Sequence, residues 1–419
     1  MPSEWERVNR YANWMHTLNV YEDAVGPNLS PKAWEELRAI GPAHLLPNLQ
    51  SLEWYSTTDT FAYINLFQPP QLTSLYVRVI PNIPNVVSIL ASLRVETLEE
   101  VRFLDSSGDR AVQDAISNLV LRTTATLRSI EVPSDLSDAA IHHVTRLPNL
   151  SDASLGSVNL DRLTTTPETG SFPPLRTLET RVNSRGGWKC LLQDTTNLES
   201  IVLHSPTALD PGEVVGAFGF LINKGFHQTM RRLSFAALEP YDITPSVLAP
   251  LLAFGCLTNL SVSPPCHPTR CSSQLTNDAL AQLASALPQL VELVLGNVPC
   301  GSPAPGVTLS GLAPLSVHCV HLTTLQIHFS ALDIHTDIPD CALLEPSDLT
   351  PVSPNHCHLT QIVVGELPIS THGKSLLSVA SFLHQTFPML SNIVSTVEGS
   401  PWKEVQENID TIRKYRPRR

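Results

Sequence analysis

One pattern constrains this chain more than any other: L-x-x-L-x-L, with aliphatic or aromatic substitutes, returns thirteen times in succession. It begins with Leu49-Leu52-Trp54, Leu72-Leu75-Val77, Leu98-Val101-Phe103, Leu127-Ile130-Val132 and a weaker Leu150-Ala153-Leu155. Leu175-Leu178-Thr180, Leu198-Ile201-Leu203, Met230-Leu233-Phe235, Leu257-Leu260-Val262 and Leu290-Leu293-Leu295 follow. Leu322-Leu325-Ile327, Leu359-Ile362-Val364 and a decayed Leu390-Ile393-Ser395 complete the series.

First positions lie 23, 26, 29, 23, 25, 23, 32, 27, 33, 32, 37 and 31 residues apart. These intervals bracket the leucine-rich-repeat period. The last two apolar positions of each unit are two apart, so they leave a short strand on the same side, toward a shared interior. Helix-compatible stretches separate the strands at 110–122, 137–147, 211–225, 276–287 and 374–385, several opening on a capping residue such as Ser137 or Thr276. Proline stands two positions before the leading residue at 47, 70, 148, 173, 288 and 388, where its missing N–H and fixed φ end a helix and favour an extended entry.

The predicted fold is therefore an α/β leucine-rich-repeat solenoid, a right-handed curved horseshoe with a parallel sheet on its concave face and helices on its convex face. Residues 1–44, with Trp5, Trp14, Trp34 and Leu37, are expected to form a helical N-terminal cap, and 45–396 the solenoid of about 13 units. Residues 397–419 are expected to supply a closing helix and a tail carrying Arg413, Lys414, Arg416, Arg418 and Arg419. That tail is either a solvated end or a nuclear-import or docking signal.

Outward positions on the strands form the expected partner-binding surface: Glu53, Tyr55, Tyr76, Arg78, Glu100, Arg102, Glu179, Arg181, His204, Arg232, Gln326 and His328. Their mixture of charge and tyrosine suits a protein partner. A formal charge of 27 minus 39, or −12, speaks against nucleic acid as the main ligand. No apolar run of membrane-spanning length occurs, and the N-terminus lacks the form of a secretory signal. We therefore expect a monomer in the cytoplasm or nucleus, with its eight cysteines as free thiols. The sequons at Asn28, Asn149 and Asn259 are then expected to stay unused.

Motifs for chemistry are weak. In His372-Gly373-Lys374-Ser375 the position of the first P-loop glycine is Pro368, and the strand–loop–helix setting is the ordinary grammar of the repeat. Cys266-His267 with Cys271 lacks a second metal-binding pair, while His318-Cys319-His321 and His356-Cys357-His358 lie just before repeat leucines. No catalytic residue, metal or cofactor is expected. The remaining enzymatic alternative places a site in the long segments 263–275, 299–310 and 331–356.

Beyond the repeat, SEWERVNRYANWMHTLNV, PLLAFGCLTNLSV, TNDALAQLASALPQLVELVLG, GLAPLSVHCVHLTTLQIHF and FLHQTFPMLSNI with Trp402 occur in an order that spans nearly the whole chain. On these residues the chain resembles the leucine-rich-repeat F-box-like proteins abundant in mushroom-forming fungi. The resemblance implies the substrate-recognition half of a ubiquitin-ligase receptor. The F-box itself, an L-P-x-E-I/L-L-x-x-I/V-F-like segment that would recruit a Skp-type adaptor, is not found before residue 45. A stand-alone scaffold or inhibitor unrelated to ubiquitin is the alternative.

Overall fold

The structure is a computed structural model. It describes residues 4–21, 30–40, 45–55, 59–79, 85–105, 108–158, 174–182, 188–205, 210–265, 273–296, 306–331, 357–364, 369, 373–395 and 399–415. The chain divides into two compact units, Met1–Leu198 and Glu199–Arg419.

In the first unit seven strands pair in parallel, in chain order: β1 Thr17–Tyr21, β2 Ser51–Tyr55, β3 Ser74–Val79, β4 Glu100–Asp105, β5 Ser129–Val132, β6 Asp152–Val158 and β7 Thr177–Val182. α1 Glu4–Ala12 precedes β1, α2 Pro31–Ile40, α3 Val86–Ser92, α4 Arg110–Val120 and α5 Asp138–Thr145 lie between the strands, and α6 Trp188–Leu191 follows β7. The second unit repeats the plan with β8 Ser200–Ser205, β9 Arg232–Ala237, β10 Asn259–Ser263, β11 Glu292–Leu295, β12 Thr324–Ile327, β13 Gln361–Val364 and β14 Asn392–Ser395. Its helices are α7 Pro211–Asn223, α8 Pro245–Leu248, α9 Asn277–Ala286, α10 Ala313–His318, α11 Gly373–Thr386 and α12 Trp402–Tyr415. Each unit is thus an α/β solenoid of leucine-rich-repeat type, with a parallel sheet against a layer of helices.

The repeat positions fill the interior. All thirteen leading residues are 2% exposed or less, and from β2 to β13 neither of the two inward pattern residues of any strand exceeds 5%. The helices begin where capping residues stand. Ser137 and Thr276 accept from the amides of Ala140 and Ala279, and Asp210 with Glu213 forms a capping box on α7.

Neighbouring turns are joined by one recurring contact at the entry to each strand. The carbonyl oxygen of the residue after the leading position accepts two amides, those of the equivalent residue and its successor one turn later. In the first unit His16 accepts from Gln50 and Ser51, Gln50 from Thr73 and Ser74, Thr73 from Glu99 and Glu100, and Glu99 from Arg128 and Ser129. In the second, the same handover runs from Glu199 through Arg231, Thr258, Val291 and Thr323 to Thr360. Where the donor residue is Ser or Thr, as at 73, 151, 258, 323, 360 and 391, its hydroxyl adds a third hydrogen bond to that oxygen. The asparagine of each L-P-N-L copy makes a further tie: Asn48 and Asn149 donate to the carbonyls of Asn13 and Ala125 in the preceding turn.

One expectation changes here. The segment 1–44 is not wholly helical, because Met15-Leu18-Val20 supplies one more copy of the pattern and β1 pairs with β2. Within this end, Trp34 is buried against Trp54 and Phe67, whereas Trp14 is 68% exposed. The weak unit at Ala153 is kept thin by a close backbone approach. A Cβ on Gly156 would stand 2.3 Å from the carbonyl oxygen of Pro133, the β6–β7 register shifts there, and the buried Thr180 hydroxyl donates to the Gly156 carbonyl.

At the other end α12 covers the last strand with Trp402, Val405 and Ile409. The Gln406 amide accepts from Ile393 N–H at 2.9 Å and donates to Ser391 C=O at 3.3 Å, straddling Asn392 as a residue on a parallel strand would. Arg413 donates to the carbonyls of Pro388 and Leu390.

Gln406→Ala leaves the Ile393 amide without its acceptor and is expected to lower stability by about 1–3 kcal/mol in urea denaturation. Leu293→Ala, at a fully buried position of β11, is expected to cost about 2–5 kcal/mol in the same assay.

Candidate functional site

Because the inward positions are committed to the core, the side chains between them stand in rows on the opposite side of the sheet. In the first unit one row reads Asn19, Glu53, Tyr76, Arg102, Glu131, Ser154 and Glu179, each in register with the next. The adjacent row begins Tyr21, Tyr55 and Arg78.

These rows produce two connected features. The rings of Tyr21 and Tyr55 stack at 4.7 Å with planes 20° apart, and Tyr76 continues the ladder 5.0 Å from Tyr55. The Tyr21 hydroxyl donates to Glu53 Oε2 at 2.7 Å, a bond that raises the tyrosine's pKa. Loss of water contact raises the Tyr55 phenol well above its ordinary value, and hydrogen bonding toward Tyr76 and Glu53 adds to the shift. Beyond the ladder, Arg102 donates from Nε and Nη2 to Glu100 Oε1 at 2.9 and 2.6 Å and lies 3.7 Å from Glu131. The hydrogen bonds to Glu100 raise the guanidinium's pKa, so it is held charged and oriented. Ser74 fixes the other Glu100 oxygen at 3.2 Å. An open hollow of about 530 Å³ lies here, lined by Ser74, Glu99, Glu100, Arg102, Arg128 and Asp152.

The structure therefore gathers Glu53, Tyr55, Tyr76, Glu100 and Arg102 into one surface, with the exposed Arg78 beside Tyr55. Glu179 and Arg181 are exposed on β7 of the same unit. In the second unit, His204 is half-buried on β8 and Arg232 is exposed on β9. Gln326 is half-buried and donates to the Gly296 carbonyl at 3.0 Å.

His328 does not belong to the open face. It follows the end of β12 and is 1% exposed, its ring seated where a Cβ on Gly296 would come within 3.3 Å. Gly296 has φ +92°, a conformation and a space that favour glycine. The surface also includes two residues that the outward list omits. Tyr21 belongs to the extra strand marked by Met15-Leu18-Val20, and Glu131 stands between inward Ile130 and Val132, where strict alternation marks it.

No family model matches the chain, and none of the curated proteins matches it. Among solved structures it is similar to a chain in the crystal structure of the Rad7 and Elc1 complex in yeast. That likeness has 14% identity and a TM-score of 0.38, covering 88% of this chain and 75% of the other.

Among the described residues no three His, Cys, Asp or Glu side chains are grouped to hold a metal ion. Cys266, His267, Cys271, His356, Pro368 and His372 lie outside the described residues, as do 299–305 and 332–356 of the long segments. Ser375 is 3% exposed near the start of α11. No helix among the described residues is long and apolar enough to cross a membrane.

Cys319 and Cys357 act as packing residues. The Cys319 thiol donates to the carbonyls of Ala284 and Leu287, and Cys357 to that of Cys319 at 3.4 Å. Burial pushes the Cys319 thiol up to about 12 and raises that of Cys357 as well, so neither forms the reactive thiolate near neutrality. Cys256 is exposed. Native alkylation with iodoacetamide at pH 8, read by peptide mass spectrometry, is expected to label Cys256 and to spare Cys319 and Cys357 until the chain is unfolded.

Proposed function

We propose that the outward sheet face of the first unit is a protein-recognition surface, and that the chain works as a non-enzymatic binding module. The observation that carries this is the continuity of the Tyr21–Tyr55–Tyr76 ladder with the Arg102 clamp. Tyrosine and arginine are the residue types that dominate binding energy at protein interfaces. A tyrosine has few torsions to immobilise, and these rings are already ordered against one another, which lowers the entropic cost of contact. Arg102, fixed between Glu100 and Glu131, presents its remaining donors in one direction.

The resemblance to leucine-rich-repeat F-box-like proteins extends the proposal: the partner is a substrate for ubiquitin transfer, and a Skp-type adaptor is recruited only where the gene encodes an F-box ahead of residue 1. This extension rests on the resemblance alone and is separable from the binding surface.

Quantitative affinity capture from the source cells tests both parts. A Tyr55→Ala/Tyr76→Ala variant is expected to lose the captured partner by about thirtyfold or more, as the loss of hot-spot contacts worth about 2 kcal/mol would give. Thr324→Ala, on the sheet of the second unit, is expected to retain it. Equal capture by both variants overturns the surface assignment. Skp-type adaptor and cullin subunits should be recovered with the product of the full-length gene, and their absence overturns the ubiquitin extension.

A further inference from the structure

We infer that Glu53 and the tyrosines around it form a cradle for a cationic side chain, a lysine or arginine projecting from the partner. This rests on the recognition surface proposed above and names the chemistry of one of its contacts. The argument begins with the carboxylates of the first unit. Glu96 pairs with Arg122 at 3.0 Å, Glu99 with Arg128 at 3.4 Å, and Glu100 and Glu131 share Arg102. Glu53 differs: among the described residues no cation pairs with it, and its hydrogen bonds come from neutral phenols, Tyr21 at 2.7 Å and Tyr55 beside it.

Its surroundings match what a cation needs. A half-buried carboxylate on a hydrogen-bonded strand cannot turn away, and the Tyr21, Tyr55 and Tyr76 rings on and beside it offer negative π-faces. A phenol hydrogen bond to a carboxylate partly satisfies the oxygen without neutralising its charge. The sequence around these strands adds charge of the same sign: Glu22-Asp23 follows Tyr21, and the segments 22–29, 56–58 and 80–84 contain no Lys, Arg or His. Arg78, next to Tyr55 in register, is the cation on this row. It is exposed, so it competes with an incoming cation rather than serving as the permanent partner. An ammonium or guanidinium arriving from outside therefore meets one fixed negative charge and aromatic surface together, and an anionic or neutral side chain gains neither.

The test uses the full chain and a fluorescein-labelled peptide of alternating glycine and lysine, acetylated and amidated at its ends, in anisotropy titrations at low ionic strength. Wild type is expected to bind it saturably. Acetylating the lysines should abolish binding, Glu53→Gln should weaken it at least fivefold, and Arg78→Gln should strengthen it. Circular dichroism checks that both variants stay folded, and Glu53→Gln keeps an acceptor for Tyr21. Equal affinity of wild type and Glu53→Gln, or equal binding of the acetylated peptide, overturns the cradle. If Glu53→Gln still captures the cellular partner while Tyr55→Ala/Tyr76→Ala does not, the cradle fails and the recognition surface stands. If neither variant loses the partner, both fail.

Discussion

The fold depends on a single kind of contact, a backbone carbonyl that accepts two amides from the next turn. Within each unit it passes from turn to turn at the residue after the leading position, where the chain leaves a helix or turn and enters a strand. Two donors on one oxygen fix both the height and the rotation of the following strand, so the register of every parallel pair is set at its first residue. Burial then acts on strands already aligned: each inward pair falls on the inward pair before it, and no turn has to enclose a core of its own. The leading residue, next to this carbonyl, is as buried as the strand positions.

That arrangement explains how intervals between units can range from 23 to 37 residues while the pairing remains regular. Whatever lies between one strand and the next, whether a long helix such as α7 or a single short turn of helix such as α8, the chain returns to the same oxygen. The outward rows of the first unit thus sit on regularly paired strands, which keeps the tyrosine rings and Arg102 at set distances from one another.

Most of this architecture was legible in the sequence, since alternation and repeat spacing are local properties that a strand or helix expresses directly. The interior of each repeat unit could be named residue by residue. The failures have different physical causes. β1 was hidden because Met15-Leu18-Val20 lies among tryptophans and charges that read as a helical cap, and its inward residues are only half-buried. His328 follows the alternation yet lies inside, because the pattern says nothing of the space left by a glycine one turn earlier. The site was legible as a list of outward positions but not as a cluster. The stacking of Tyr21 on Tyr55 and the sharing of Arg102 by two carboxylates arise between turns, where sequence separation conceals proximity.

The bond pattern of Gln406 has a consequence for how such an array can change in length. A side-chain amide occupies the first pair of hydrogen-bonding sites that a further strand would need, so the free edge of β14 is partly closed by its own helix. Gene duplication that copies a turn ahead of β14 can insert it with its carbonyl handover intact. A turn packed directly on β14 would have to displace Gln406 from those two sites. The array therefore accepts a copied internal turn more readily than a strand added against β14.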